Sequence, residues 1–253
     1  MNDSAPNTRE QFSAHIPALH TLINLGWRYL GVADCLALRG GTREVLLKPR
    51  LIQALQSRRF DYKGESYPLS PSAIDQIIRE LSALPLGEGL LVANERLYGK
   101  LAFGITVTEF MADGKKHQPT IPVIDWANPA ANLWDVTEEC EVLSAQGTHH
   151  RTPDIVAYVN GLPLVVIEAK RPESGHVGKQ MVAEGVSQQL RNQRPDEIPQ
   201  LFAYAQLLLS ISQTDGRYGT TNTASKFWAR WREEEFAESQ LSTIKNTKLP
   251  TAA

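Results

Sequence analysis

Two cysteines, Cys35 and Cys140, are too few and too far apart for a disulfide framework, and they match no zinc-binding spacing. Both are expected to be reduced and buried, the usual state of a free cysteine. No apolar run approaches the ~20 residues that span a bilayer, and no secretory leader is visible. A cytoplasmic protein without a membrane segment is therefore expected. No Gly-x-x-x-x-Gly-Lys-Ser/Thr loop occurs, which excludes that route to nucleotide phosphates. Excess charge is lacking as well. A formal net charge of −2 argues against a chain that coats nucleic acid, yet leaves room for a basic groove beside an acidic site. What remains is ordinary globular composition: 253 residues, 42% hydrophobic, enough for a sizeable core in one large or two small domains.

The most informative stretch runs from Arg151 to Pro172. Two β-prone segments, Asp154 to Val159 and Pro163 to Ala169, flank Asn160-Gly161, a strong hairpin signal. Leu164 to Ile167 shows no polar alternation, so the second strand is expected to be buried on both faces. Asp154 opens the first strand, and Glu168 and Lys170 close the second, where uncompensated charge is costly unless something binds it. Their relative placement depends on the turn. A two-residue turn would pair Asp154 with Ile167 and put Asp154 and Glu168 on opposite faces. A three-residue connection with Gly161 left-handed would pair Asp154 with Val166 and bring Glu168 and Lys170 onto its face. We expect the odd-numbered connection, because it lets two carboxylates and a lysine converge on one oxygen-liganded cation.

Pro153-Asp154 followed by Glu168-Ala169-Lys170 resembles the PD-(D/E)XK nuclease signature. The whole run Asp154-Ile-Val-Ala-Tyr-Val-Asn-Gly-Leu-Pro-Leu-Val-Val-Ile-Glu-Ala-Lys170 resembles the nuclease domain of the R (restriction) subunit of type I restriction-modification enzymes. So do Asp125-Trp-Ala-Asn-Pro-Ala-Ala-Asn132 and Ile198-Pro-Gln-Leu-Phe202. The likeness covers roughly residues 9–235, with 236–253 a polar tail. It implies an α/β, restriction-endonuclease-like fold, with a central mixed sheet flanked by helices, and an Mg²⁺-dependent endonuclease acting on double-stranded DNA. Asp154, Glu168 and the Ala169 carbonyl would hold Mg²⁺, with Lys170 positioning or deprotonating water and Gln189 orienting Lys170 or a phosphate. Glu10 lies where nucleases of this class often carry an acid facing the metal; a solvated first-turn glutamate is the alternative. The family has tyrosine four residues after its glutamine, where this chain has Gln193. Methyltransferase (M) and specificity (S) subunits are the implied partners, and ATP and S-adenosylmethionine belong to the complete complex. The family's motor has no counterpart here, so a fragment or truncated product is expected. A catalytically idle assembly or DNA-docking module is the alternative function.

Elsewhere, helical spacing marks Arg9 to Gly26, interrupted by Pro17, and further helices are expected at Glu44 to Arg59, Ser72 to Leu84 and Gln180 to Gln193. Leu86 to Glu95 reads as a connector or the end of a helix. Residues 101–110, 121–126 and 133–143 read as an antiparallel meander, and 201–212 as a core strand returning through a turn at 214–216. The central sheet is expected to contain 101–110, 133–143, 154–169 and 201–212. Lys48, Arg50, Arg58 and Arg59 are candidate phosphate contacts or simply a solvated face. His149 and His150 read as surface.

Overall fold

Seven strands form one mixed sheet whose spatial order follows the chain: β1 (Arg28–Tyr29), β2 (Trp134–Glu138), β3 (Ile155–Val159), β4 (Leu162–Ala169), β5 (Leu207–Ile211), β6 (Gly216–Gly219) and β7 (Ala229–Arg230). The computed structural model describes residues 14–171, 181–213 and 215–232. β2, β3 and β4 form an antiparallel meander. β4 and β5 run parallel, joined through a helix over Met181–Asn192, and β6 and β7 continue antiparallel. A parallel pair needs such a crossover. At the other edge, β1 pairs in parallel with β2.

Helices cover both faces. α1 (Ile16–Asn24) lays Leu19 and Leu22 on Val136, Ile155, Ala157 and Ile167. Pro17 falls in its first turn, where a missing N–H costs nothing, so it starts this helix rather than bending it. The opposite face, with Val156, Tyr158, Val166 and Leu208, shares the main core with α2 (Val32–Arg39), α3 (Lys48–Gln56), α4 (Pro71–Ser82), α5 (Leu90–Phe103) and α6 (Met181–Asn192). β3 is buried throughout and β4 nearly so, which explains the absence of alternation in their sequences. This is the α/β arrangement, a mixed sheet flanked by helices, expected from the sequence.

Several boundaries differ from expectation. Residues 101–110 are not in the central sheet. Leu101–Phe103 ends α5, whose buried Ala93, Leu97 and Leu101 recur every four residues, and Gly104, at φ 79°, ends the helix. Ile105–Thr106 then pairs with Thr120–Ile121 in a separate ribbon, so the 121–126 stretch is no part of a meander with β2. The helix expected through Arg59 stops at Gln56; Arg59–Tyr62 instead forms a hairpin with Glu65–Pro68. The helix expected from Ser72 begins at Pro71, with Ser70 accepting the Ala73 N–H. In the 133–143 stretch only Trp134–Glu138 joins the central sheet, and Val142–Leu143 pairs with His150–Arg151. The 201–212 stretch begins as a helical turn, Pro199–Phe202, and becomes strand only at Leu207. Among the described residues, no helix is long and apolar enough to cross a membrane. The polar tail expected at 236–253 lies outside the described residues.

Candidate active site

The hairpin turn is the two-residue one. Val159 pairs with Leu162, and Asn160 and Gly161 occupy left-handed conformations at φ 51° and 80°. The odd-numbered connection expected from the sequence is therefore incorrect. The separation onto opposite faces does not follow, because the register shifts further along. Tyr158 pairs with Pro163 but Ala157 with Val165, leaving Leu164 as an extra residue on β4. This β-bulge turns every later β4 side chain over. Extending the register past Ile155–Ile167 sets Asp154 opposite Glu168, on one face.

The turn is tightly held. Asn160 Oδ1 accepts the Leu133 N–H at 2.8 Å, and its Nδ2 donates to the Val123 carbonyl and to Asn132 Oδ1, both at 2.9 Å. Asn132 Oδ1 also receives the Asp125 N–H and Arg58, so the 125–132 segment and the hairpin tip form one hydrogen-bonded unit. A Cβ at Gly161 would lie 2.5 Å from the Leu47 carbonyl oxygen, and only glycine fits there.

At the far end of β4 three charged groups meet. Asp154 Oδ2 accepts the Ala169 N–H at 2.8 Å, fixing the carboxylate against the strand end. Lys170 Nζ lies 3.4 Å from Glu168 Oε2 and 3.6 Å from Asp154 Oδ2. Glu168 and Lys170 are almost wholly buried, while Asp154 keeps about a quarter of its side chain open to solvent. Burial, and then the charge of Asp154 and a carboxyl–carboxyl hydrogen bond, push the Glu168 carboxyl up to about 8 against the opposing pull of Lys170. The raised Glu168 carboxyl thus favours its protonated form beside Asp154 and Lys170. Two carboxylates and a strand-end carbonyl are the hard oxygen donors that suit Mg²⁺, so the residues fit the ion implied by the sequence. Among the described residues no three His, Cys, Asp or Glu side chains cluster, so the Ala169 carbonyl and water would have to complete the shell. Glu10 lies outside the described residues.

Gln189 is fully buried in α6 and donates from Nε2 to the carbonyls of Val166 (3.2 Å) and Leu209 (2.7 Å). It ties the helix to β4 and β5. Gln193 donates to the Gln189 carbonyl and accepts the N–H of Asn222, a residue at φ 67°, so the side chain standing where the family has tyrosine braces a turn. Two neighbours of the site escaped the sequence reading. Ser210 pairs with Glu168 across β4–β5 and donates to the Val182 carbonyl. Gly185 lies over both; a Cβ there would come within 2.2 Å of Ser210 Oγ and 3.4 Å of Glu168 Cβ. A glycine inside a helix and a serine inside an apolar strand were the signals available.

The basic residues are mostly committed elsewhere. Arg50 and Arg28 both bind the fully buried Asp135 at 2.8 Å, Arg58 bonds the carbonyls of Pro122 and Val123, and Lys48 pairs with Glu44. His149 and Arg151 converge on Glu197, holding its carboxyl down at about 2, chiefly through the Arg151 bonds.

A family model described as "Type I restriction enzyme R protein N terminus" matches residues 7–227. The chain is 28% identical over 221 residues to the type I restriction enzyme HindI endonuclease subunit of Haemophilus influenzae, covering 85% of this chain and 19% of that protein. It is 24% identical over 247 residues to the putative type I restriction enzyme MjaIXP endonuclease subunit of Methanocaldococcus jannaschii, covering 94% and 22% respectively. The chain thus spans about a fifth of the length of these relatives.

Proposed function

Because this chain belongs to the type I restriction enzyme R protein N-terminal family, we propose that it is the nuclease module of a restriction enzyme, hydrolysing phosphodiester bonds of double-stranded DNA with Mg²⁺. The observation that carries this reading is the convergence of Asp154, Glu168 and Lys170 at the end of β4, brought about by the Leu164 bulge. Asp154, Glu168 and the Ala169 carbonyl would hold the ion. Bound Mg²⁺ would lower the pKa of a water and offset charge on the phosphate. Asp154 is preset for its part by the Ala169 N–H. Lys170, next to both acids, is placed to offset negative charge at the site and can turn to the water or the phosphate when DNA is bound. Gln189 acts at a distance from the chemistry, keeping β4 and β5 in place beneath the acids. DNA translocation, ATP use and target choice would reside in the remainder of the R subunit and in M and S partners.

Calorimetric titration of the chain with Mn²⁺ tests the site directly. Wild type should bind one ion, and Asp154→Asn and Glu168→Gln should each weaken binding by at least about 10-fold, on the scale of losing one ligand. Equal affinity in all three proteins would leave an idle docking module as the better reading.

A further inference from the structure

The two cysteines, 105 positions apart in sequence, meet in the core. Cys35, on α2, and Cys140, just after β2, both approach the Tyr158 hydroxyl, their sulfurs 3.9 and 3.6 Å from it, and the two thiols interact with each other. Arg39 Nη1 lies 3.1 Å from Cys140 Sγ. That guanidinium is itself fixed by the carbonyls of Thr42, Glu44 and Glu141. Beside the thiols is a cavity of about 30 Å³, lined by Cys35, Arg39, Thr137 and Cys140. It has room for one water-sized molecule.

We propose that Cys35 and Cys140 form a redox-modifiable thiol pair, which a small peroxide entering this cavity converts to an intrachain disulfide. The two sulfurs have different parts. The bond from Cys140 is the largest influence lowering Cys35, to about 6, whereas that same bond and burial raise Cys140. We therefore assign Cys35 the attacking role and Cys140 the resolving one. The Cys35 sulfur attacks one peroxide oxygen, the O–O bond breaks, and the departing hydroxide takes a proton to become water. The Cys140 sulfur then attacks the resulting sulfenic acid and loses its proton, and the hydroxyl on Cys35 leaves with a proton as a second water. Two thiols are oxidised by two electrons and one peroxide is reduced to two waters. A disulfide of this kind in a reducing compartment is transient and redox-sensing rather than structural.

The cross-link would tie α2 to backbone that abuts the candidate active site. The Cys140 N–H bonds the Pro153 carbonyl at 3.0 Å, and the Glu139 N–H bonds the Asp154 carbonyl at 2.8 Å. The proposal does not depend on the nuclease reading, since its test follows sulfur alone.

Treating the native chain with one equivalent of hydrogen peroxide, followed by alkylation and unreduced peptide mapping, decides the matter. The expected result is loss of both free thiols in a monomer two hydrogen atoms lighter, with the Cys35 and Cys140 peptides joined. Cys140→Ser should accumulate a dimedone-reactive sulfenic acid on Cys35. Cys35→Ser should leave Cys140 at least about 10-fold slower to react, as expected of a protonated buried thiol. Two thiols still alkylatable after unfolding, or a link only between chains, would overturn the proposal. So would faster reaction of Cys140 than of Cys35.

Discussion

Glu168 is strongly perturbed by its surroundings at the candidate site, and its pH behaviour can be read without DNA. Its folded pKa, about 8, stands above the ordinary 4.5 because burial and Asp154 disfavour the charged form. A raised pKa means that the stabilising contribution is complete below about 4.5 and is lost as pH rises through about 8. With metal chelated, the melting temperature of wild type should therefore fall between these values. Glu168→Gln, which stays neutral, should remove most of that slope and melt several degrees higher than wild type at pH 8.5. Parallel slopes for the two proteins would show that Glu168 does not carry the effect. Asp135 makes a complementary case. It has no exposed surface and neutralises the largely buried Arg50 as well as Arg28. Asp135→Asn leaves Arg50 without its countercharge and should cost about 3 kcal/mol in urea unfolding. A loss below about 1 kcal/mol would mean that solvent reaches the pair.

Among the elements, the β3–β4 hairpin and α6 position the site, and they were unequally legible. Asn160-Gly161 announced the turn, and the buried strands followed from unbroken apolar runs. The Leu164 bulge carried no sequence mark: an extra leucine in a strand buried on both faces looks like any other apolar residue. Hence the right convergence was expected by way of the wrong turn. Gly185 is the matching device on α6. Its missing side chain lets the helix settle onto Ser210 and Glu168. Gly185→Ala would gain helix propensity, yet it should destabilise the protein by about 1–3 kcal/mol through overpacking. Thermal or urea unfolding will show which effect wins; a stabilised variant would mean that α6 does not press on the strands. For α5, apolar and β-branched residues at its end masked the four-residue spacing of Ala93, Leu97 and Leu101, and 101–110 read as strand. Two-residue strands such as β1 are too short to show any period at all.

At the scale of the whole molecule, the sheet brings together acids and a lysine from separate strand ends, and the family match extends over most of the chain. The strand–helix–strand unit of β4, α6 and β5 was legible because a parallel pair demands a crossover. The edge strand β1 and the insertion of α2 to α5 between β1 and β2 were not, because β1 pairs with residues more than a hundred positions away. If the nuclease reading is right, cutting and movement along DNA are separable, since the proposed cutting residues lie in this module. The most direct measurement places Glu168→Gln in a full-length R subunit reassembled with the M and S subunits proposed as partners, and follows DNA cleavage and ATP-driven translocation side by side. Cleavage should fall by at least about 100-fold while translocation continues at the wild-type rate. Undiminished cleavage by that variant would contradict the assignment of Glu168 to the catalytic site.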